Sequence, residues 1–462
     1  MYGKSWLHAA LTLAATSLVS CVDQVSPPDP NAITAPASRH RAPAPEGTLP
    51  AVVRQLAAAR GVVPLDAPPV VRPALARLGQ ALAFDPILSG ARNISCSTCH
   101  LPAFATGDGR SLSIGEGAAG LGPTRSHPSG TFIPRNAPPL FNLAAMRHLF
   151  WDGRVAADGA GGFTTPAGSQ LTPAMTRVFE FGPASALAMF PVTNRAEMRS
   201  GSGNELALIA DDDFQGIWSA LMQRIGAIPE YRGLFEAAYP GTRFADMSFA
   251  HASNAIAGFF VKEYAADRTP WDRFLAGDDA ALSMRQLEGA QTFLTLKCSI
   301  CHTGATFSDE EFHNVALAQI GPGQGNGPSL RDDFGRMNVT GREEDRYRFR
   351  TTPLRNVELT GPYGHDGAIG SLREFIEHYS ESDLKLLTFD PTRLEPELRL
   401  TTVDNFQAIL QQRDTLLTGV VLTDELVDKL MDYMTALTDD ASRNLSRAVP
   451  VRVPSRLSVD RP

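Results

Sequence analysis

Apolar side chains recur at helical spacing in three separated segments of the chain. Leucines repeat at three- and four-residue intervals across residues 75–82, and a similar pattern covers residues 287–294. A third segment begins at Thr423, a residue type that caps helices, and keeps apolar residues on one face as far as residue 437. No segment shows a clear strand-like alternation. The pattern therefore predicts an all-α fold with long irregular loops.

Each of the first two helical segments leads into the same short motif. Cys-x-x-Cys-His occurs at residues 96–100 and again at residues 298–302. This spacing is the attachment signature of a c-type haem, in which two thiols bond the haem vinyl groups and the adjacent histidine becomes an axial iron ligand. The residues predicted to bind two covalent haems are Cys96, Cys99, His100, Cys298, Cys301 and His302.

Other uses of these cysteines fit the sequence less well. A structural zinc site needs four ligands, and neither motif has a second cysteine pair nearby. A thioredoxin-like redox pair would not need a histidine after both motifs. Of the five cysteines, only Cys21 lies outside the motifs, so no pair remains for a disulfide bond.

The N-terminal segment has the pattern of an export signal. An apolar run from Leu7 to Val19 precedes Cys21, and the four residues that end at Cys21 match the lipobox of bacterial lipoproteins. We expect a signal peptide at residues 1–20, a lipidated Cys21 and a disordered Pro/Ala-rich tether over residues 21–48. An ordinary signal peptide with a chance cysteine is the alternative.

These features predict a protein on the periplasmic face of a bacterial membrane. Val22 after the cysteine does not signal retention in the inner membrane, which favours the outer membrane. No other segment is long and apolar enough to span a bilayer, so the lipid would be the only membrane contact. The net charge of −8 argues against binding of nucleic acid.

The length of 462 residues favours two domains. Each motif with its helix and following loop would supply one cytochrome c-like domain with one covalent haem. We predict the first domain at residues 49–280, the second at residues 281–440 and a C-terminal tail at residues 441–462.

Further motifs follow in a fixed order along the chain. They are Leu-Gly-x-x-Leu-x-Phe-Asp-Pro at 78–86, Ser-Ile-Gly at 113–115, Arg-Asn-Ala-Pro at 135–138, Phe-Trp-Asp-Gly-Arg at 150–154, Phe-His-Asn at 312–314, Leu-Arg-Asn-Val at 354–357 and Pro-Tyr-Gly-His-Asp-Gly at 362–367. In this order they resemble the bacterial di-haem cytochrome c peroxidase superfamily, which includes MauG. The resemblance implies an oxidoreductase that reacts with hydrogen peroxide.

The resemblance implies that peroxide reacts at the first haem, whose proximal ligand is His100. In related peroxidases a histidine in a Ser-Ile-Gly-His-Gly loop can block this iron, but Glu116 stands at that position here. We therefore expect the first haem to be open at rest, as in MauG. His127 is the nearest substitute, and we expect it to be an ordinary loop residue.

Cleavage of peroxide needs a base that takes a proton from one oxygen and returns it to the other. Glu197 matches the family's catalytic glutamate, and Pro191 matches a proline of the pocket. The family's glutamine falls on Leu187, so its hydrogen bond to peroxide is expected to be lost. The alternative role for Glu197 is that of a solvated loop residue.

Trp151 matches the tryptophan that lies between the two haems of the family, where its π-system would share oxidising equivalents. Its alternative role is packing in the core. Trp218 and Trp271 have no such match and are predicted to be packing residues. The stretch between Trp151 and Glu197 is longer than in typical relatives, and it could shape access to the first haem or be an inert insertion.

The sixth ligand of the second haem falls on Tyr379 by resemblance. Peroxidases have a methionine there, which favours ferrous iron, whereas MauG-like proteins have tyrosine, and an oxygen donor favours more oxidised iron. A helix that starts with a capping box of Ser371 and Glu374 would carry this tyrosine. The neighbouring His378 is the rival ligand.

The resemblance also implies a calcium ion between the domains. Its ligands would be the Asn136 side chain and the carbonyl groups of Thr360 and Pro362, since calcium prefers oxygen donors. Simple loop packing is the alternative. Three further motif residues are expected to support the haems without binding them: His313, Asn314 and His365.

The predicted function is that of a MauG-like di-haem enzyme that uses hydrogen peroxide to form a high-valent di-haem state. This state would oxidise aromatic residues, notably tryptophan, of a periplasmic partner protein. The methanobactin-associated relative is the closer model, and the family's surface relay tryptophan falls on Leu296, so the exit route must differ. Two alternatives stay open: a peroxidase fed by a small cytochrome or cupredoxin, and a membrane-tethered di-haem electron carrier without enzymatic activity.

Overall fold

The computed structural model describes residues 47–128 and 131–461. Its α-helices, in chain order, are α1 Leu49–Ala59, α2 Pro73–Phe84, α3 Cys96–Cys99, α4 Pro173–Thr176, α5 Pro183–Leu187, α6 Phe214–Gly226, α7 Pro229–Ala238, α8 Phe249–Glu263, α9 Pro270–Leu275, α10 Met284–Thr295, α11 Cys298–Cys301, α12 Met337–Thr340, α13 Leu372–His378, α14 Ser382–Leu387, α15 Phe406–Gln411 and α16 Asp424–Ala436. The predicted helical class is confirmed, and long loops with short 3₁₀ turns join the helices.

Short strands, which the sequence pattern did not predict, accompany the helices. They are β1 His148–Leu149, β2 Val155–Ala157, β3 Phe163–Thr164, β4 Phe312–His313 and β5 Phe349–Arg350. β1, β2 and β3 form one antiparallel sheet, and β4 pairs with β5 in another. Strands of two or three residues are too short to show an alternating pattern in the sequence.

The helix before the first motif is α2, as the leucine spacing predicts. Proline stands at its start, where the missing N–H costs nothing, and its leucines at 75, 78 and 82 are fully buried. α2 crosses α8 at Gly79, where a Cβ atom would overlap the carbonyl group of Ala255. Only glycine allows the two helix backbones to approach so closely.

The helix before the second motif repeats this arrangement. α10 begins at a capping box in which the Ser283 and Gln286 side chains bond each other's backbone N–H groups. It crosses α16 at Gly289, where a Cβ atom would overlap the carbonyl group of Lys429. Thr423 caps α16 as predicted, because its hydroxyl accepts a hydrogen bond from the Leu426 N–H at 3.3 Å.

Two large apolar clusters form the interior of residues 47–128 and 131–461. The first surrounds α2, α6, α7 and α8 and contains Trp218, and the second surrounds α1, α9, α10 and α16 and contains Trp271. Both tryptophans are essentially unexposed. Trp218 donates its indole N–H to the Met189 carbonyl at 2.8 Å, as expected of a tryptophan that packs in the core and must satisfy its one polar group.

Each end of the described chain packs in the cluster formed mainly by the other part of the chain. α1, which the sequence analysis assigned to the first domain at residues 49–280, packs in the second cluster. Residues of the predicted tail, 441–462, pack in the first cluster, where Leu445, Ala448 and Val453 are buried. The boundary at residues 280/281 stays a prediction, but the packing crosses it at both ends because contacts depend on space and not on chain order.

The predicted signal peptide, Cys21 and nearly all of the predicted tether lie outside the described residues. Within residues 47–128 and 131–461, no helix is long and apolar enough to cross a membrane.

Candidate di-haem site

A cavity of about 140 Å³ opens beside the first motif. The one-turn helix α3 holds the motif. Ser95 lies at its N-terminal cap and donates its backbone N–H to the hydroxyl oxygen of Thr98, 2.9 Å away. His100 then leaves the helical conformation. This local turn brings Cys96, Cys99 and His100 to one cavity wall.

A larger cavity of about 440 Å³ opens beside the second motif. The one-turn helix α11 directly follows α10, and Cys298, Cys301 and His302 all line the cavity. The rest of the wall is largely apolar, with Phe293 and Leu354 among its residues. A concave apolar site with a few placed polar groups is what a cofactor needs.

Both motif histidines are oriented for iron binding. The Nδ1 atom of His100 donates to the Thr106 carbonyl at 2.8 Å, and that of His302 donates to the Phe307 carbonyl at 3.0 Å. Burial lowers the pKa of both imidazoles, which keeps them neutral. The partner on Nδ1 fixes each ring and makes Nε2 the nitrogen that could bind iron.

The motif cysteines are free thiols at the two cavities. Burial raises the pKa of Cys96 to about 12 and that of Cys298 to about 11. Pairs of half-buried thiols, each beside an oriented imidazole and a largely apolar cavity, fit a covalent haem at both motifs.

Glu197 lines the first cavity together with Pro191 and Leu187. It lies in a π-helix at residues 195–199, an irregular turn often found at functional sites. Asn194 caps this turn, because its side-chain oxygen accepts the N–H groups of Ala196 and Glu197 at 2.8 and 3.1 Å. The turn brings the glutamate carboxyl group to the cavity of His100.

Burial raises the pKa of Glu197 above its usual value, and the positive charges of Arg154 and Arg135 oppose this rise. A carboxyl group in such a setting can exchange a proton closer to neutral pH than a solvated one. The structure thus brings together the predicted acid–base group and the predicted first haem site.

Glu116 and His127 are not among the residues that line the first cavity. Glu116 accepts the Ala91 N–H at 3.4 Å, and the imidazole of His127 packs beside Gly117. Ser113, from the start of the same loop, does line the cavity. For the described residues, the loop therefore brings no histidine side chain to the open side of the first site.

Tyr379 lines the second cavity together with His302, and His378 does not. His378 points elsewhere, because its Nε2 atom donates to the Val315 carbonyl at 2.7 Å. Helix α13 starts at Ser371, whose hydroxyl accepts the Glu374 N–H, so half of the predicted capping box is present. Tyr379 directly follows the last residue of this helix.

Sequence reasoning missed Met434, which also lines the second cavity. It lies four residues after Leu430 on α16, so helical spacing was the signal that could have found it. Leu296, at the position of the family's relay tryptophan, lines the same cavity.

Trp151 lines both cavities. Its indole N–H donates to the Asn136 carbonyl at 2.9 Å, and its own carbonyl accepts the Arg350 N–H at 2.8 Å. Asn136, Pro139 and Arg350 line both cavities as well. These four residues form the shared wall, and its aromatic member is the predicted relay.

A buried ion network holds the segment that carries Trp151. Arg135 donates to Asp152 at 2.6 Å and to Asp333 at 2.6 and 2.8 Å, and all three side chains are buried. Arg154 and Arg135 keep the pKa of Asp152 well below its usual range, although burial alone would raise it. Asp152 follows Trp151 directly, so the network fixes the backbone of the shared wall.

The three residues of the predicted calcium site meet at the second cavity. The amide of Asn136 donates to the carbonyl groups of Arg110 and Ser111 at 2.9 and 3.2 Å. Thr360 and Pro362 line the cavity from the loop after Val357. The three residues thus line one cavity, and the hydrogen bonds of Asn136 are also those expected of a packed loop.

The remaining motif histidines have structural partners. His365 stacks on Phe349 with ring centroids 3.7 Å apart. His313 bridges Asp414 and Asp309, at 2.6 and 3.3 Å. The amide of Asn314 donates to the Ile409 carbonyl at 2.9 Å.

The long stretch between Trp151 and Glu197 is partly surface and partly interior. Residues 159–162 are partly or fully exposed, whereas α5 packs against α8 in the first cluster. Its last part brings Leu187, Ala188 and Pro191 to the first cavity. The end of this stretch therefore forms part of the site.

Comparison with known proteins agrees with this architecture. The model of the di-haem cytochrome c peroxidase family matches residues 73–280. The chain is 31% identical over 299 residues to a cytochrome c551 peroxidase of Pseudomonas aeruginosa, which covers 65% of this chain and 69% of the relative. It is 29% identical over 303 residues to the methylamine utilization protein MauG of Methylorubrum extorquens, covering 65% of this chain and 67% of the relative.

Among solved structures, a MauG-like protein associated with microbial copper homeostasis has the same fold. It superposes with a TM-score of 0.56 at 23% sequence identity and covers 81% of this chain and 94% of that protein.

Proposed function

Since the chain belongs to the di-haem cytochrome c peroxidase family, we propose that it is a MauG-like enzyme that uses hydrogen peroxide to oxidise aromatic residues of a partner protein. The family makes it a haem-dependent oxidoreductase with two c-type haems. Tryptophan is the residue that we expect it to oxidise. The observation that carries this choice is the position of Tyr379 at the second cavity.

The residues of both cavities fit the two haems. Cys96 and Cys99 would hold the first, with His100 as ligand, and the second motif would hold the other. When bound, the haem irons supply the peroxide and electron-transfer chemistry of the site. The side chains of this protein orient the reactants, move protons and separate the two sites from water.

Glu197 is the proposed acid–base group. Its carboxylate would take a proton from one peroxide oxygen and return it to the other, which leaves as water when the O–O bond breaks. The two electrons for this cleavage would come from the haems. Pro191 and Leu187 line the same cavity without a polar group that could compete for this proton. Leu187 offers no hydrogen bond, so the position of peroxide depends on Glu197 more than in relatives with a glutamine there.

Trp151 is the proposed electron relay between the sites. It lines both cavities. Its indole N–H and its backbone carbonyl group each form a hydrogen bond with a buried residue of the shared wall. A fixed aromatic ring between two redox groups shortens the distance that an electron must cross. Packing alone would not require the ring to face both cavities.

Tyr379 is the proposed sixth ligand of the second iron. A phenol oxygen favours the more oxidised state of iron, whereas a thioether favours the reduced state. The hydrogen bond from His378 to Val315 supports Tyr379 over this neighbour. A second iron that is stable in an oxidised state suits an enzyme that must keep its oxidising equivalents until a partner protein binds.

The decisive experiment adds one equivalent of hydrogen peroxide to the diferric holoenzyme and follows its absorption spectrum. We expect a long-lived oxidised spectrum, and Tyr379→Met should shorten its lifetime by about tenfold or more, a loss of about 1.4 kcal/mol or more. Met434→Leu, a change at the same cavity, should leave the lifetime unchanged. An immediate return to the starting spectrum in the wild type, or equal lifetimes in the Tyr379 variant, would contradict the proposal.

A peroxidase fed by a small electron-transfer protein is the second candidate. The 31% identity to a cytochrome c551 peroxidase favours it. It predicts steady peroxide turnover with a reduced small cytochrome or cupredoxin, and no long-lived oxidised spectrum. A di-haem electron carrier would give neither signal.

We also propose a periplasmic location with a lipid anchor at Cys21, and the domain limits at residues 280/281. A calcium ion with Asn136, Thr360 and Pro362 as ligands is a further proposal, supported only by the fact that all three residues line the second cavity. Mass spectrometry of the mature N-terminus and metal analysis of the purified protein test the anchor and the ion separately.

A further inference from the structure

Arg350 is a buried arginine with an incomplete set of partners. The residue is only 5% exposed, and no carboxylate of the described residues forms an ion pair with its guanidinium group. Its Nε atom donates to the Phe150 carbonyl at 3.3 Å, and Nη1 donates to the Thr351 carbonyl at 3.2 Å. The second terminal nitrogen, Nη2, has no hydrogen-bond partner among the described residues.

Three other buried arginines of the described chain have a partner at every side-chain nitrogen. Arg135 pairs with Asp152 and Asp333, and Arg355 pairs with Asp272 through two hydrogen bonds of 2.7 Å. Arg125 has no carboxylate partner but donates from all three of its nitrogens to backbone carbonyl groups. Arg350 alone of these combines burial with a free terminal nitrogen.

A buried charge without a complete set of partners is unfavourable, because it loses its water shell. Burial lowers the pKa of Arg350 to about 10, with Glu310 and Asp152 partly opposing this effect. The side chain thus stays protonated at neutral pH. An anionic group at the free Nη2 atom would offset the cost of burying it.

The position of Arg350 indicates where this anion binds. Arg350 belongs to the shared wall and lines both cavities beside Trp151. The pairing of β5 with β4 and the hydrogen bond of its N–H to the Trp151 carbonyl fix its backbone. A ligand carboxylate in either cavity can therefore approach a guanidinium group whose backbone is held in place.

We propose that Arg350 binds propionate carboxylates of both haems and is their shared charge partner at the wall between the two sites. Haem carries two such carboxylates, and an arginine with free N–H groups suits their geometry. This assignment rests on the two haems of the family and not on the oxidation of a partner protein. It makes Arg350 a positioning residue that couples the electrostatics of the two irons.

The proposal has a direct electrochemical consequence. A positive charge near an iron centre favours its reduced state and raises its midpoint potential. If one guanidinium serves both haems, its removal must lower both potentials together. A residue that only supports the carbonyl groups of Phe150 and Thr351 would leave both potentials unchanged.

The test is an optical redox titration of the holoenzyme in wild-type and variant forms. Arg350→Gln should lower both midpoint potentials, and Arg350→Lys should restore most of the shift. Arg348→Gln is the matched control, since this arginine lies on the same stretch of chain but lines neither cavity. It should leave both potentials unchanged.

Unchanged potentials in Arg350→Gln, or a shift at one haem only, would overturn the proposal. If Arg350→Gln fails to accumulate, the haem content of Arg350→Lys decides. Full loading of both haems in Arg350→Lys supports a role of the positive charge. If Arg350→Lys fails to accumulate as the glutamine variant does, the proposal is overturned, because the arginine would then be needed only for its shape.

Discussion

Glu197 is half-buried at the first cavity, and two nearby positive charges oppose the rise of its pKa. We expect Glu197→Gln to slow the reaction with peroxide by about 10²- to 10⁴-fold, because the amide cannot carry a proton. Haem content should not change. Stopped-flow measurement of the first spectral change after peroxide addition gives this rate.

The same residue predicts a pH dependence. Only the carboxylate form accepts a proton, so the wild-type rate should fall as pH falls through the raised pKa, at a higher pH than for an ordinary glutamate. In Glu197→Gln the rate should no longer depend on pH in this range. Glu116→Gln is the control, since Glu116 also has a raised pKa but does not line the cavity. An equal loss of rate in both variants would exclude Glu197 as the specific base.

Among individual residues, those that belong to motifs could be predicted from the sequence, and the others could not. The spacing of Cys96, Cys99 and His100, and of the second motif, predicts a haem without further information. Tyr379 could be placed only by its distance from a motif of related proteins. Arg350 was missed because an arginine beside a cavity looks like any other in sequence, and its missing partner is a fact of three-dimensional contact.

Among the elements, two helix crossings have the same design. α2 crosses α8 at Gly79, and α10 crosses α16 at Gly289, each against a backbone carbonyl group. We expect Gly79→Ala to destabilise the holoenzyme by about 1–3 kcal/mol, because the added methyl group overlaps backbone that cannot rotate away. Thermal unfolding followed by circular dichroism measures the loss.

Gly233 in α7 supplies the control for this substitution. A Cβ atom there would meet nothing within 4 Å. Gly233→Ala should therefore raise stability by about 0.5–1 kcal/mol through better helix propensity. If Gly79→Ala were as stable as Gly233→Ala, the close crossing of α2 and α8 would be wrong.

The helices before the two motifs and α16 could be predicted, since each buries one face and shows the periodicity of a half-buried helix. α8 could not be found in this way. Nearly every residue from Phe249 to Val261 is buried, so no polar face marks its period. The short strands were missed because two residues cannot show alternation.

For the whole molecule, the exchange of chain ends ties the two clusters together. The C-terminal segment reaches the first motif, where Asp460 contacts Ser95 and Thr98. Ser455 donates its hydroxyl to the buried Asp85 at 2.6 Å, and Tyr231 donates to the same carboxyl group at 2.6 Å. Sequence-based domain limits assume local packing, so they could not include this return.

We expect Ser455→Ala to lower the free energy of unfolding by about 1–3 kcal/mol, because Asp85 loses a hydrogen bond in a buried position. Urea unfolding of the holoenzyme, followed at the haem absorption, measures this change. Ser458→Ala, an exposed serine of the same segment, should have no measurable effect. Equal midpoints for the two variants would mean that the returning segment does not stabilise the first cluster.

The return of the C-terminal segment also bears on haem attachment. Val453 packs in the first cluster, and Asp460 contacts Ser95 and Thr98 at the first motif. Until this segment has packed, the cluster beside Cys96 and Cys99 is incomplete. Packing of residues 441–461 is therefore a step that can follow covalent attachment of the first haem, and it would lock the finished site.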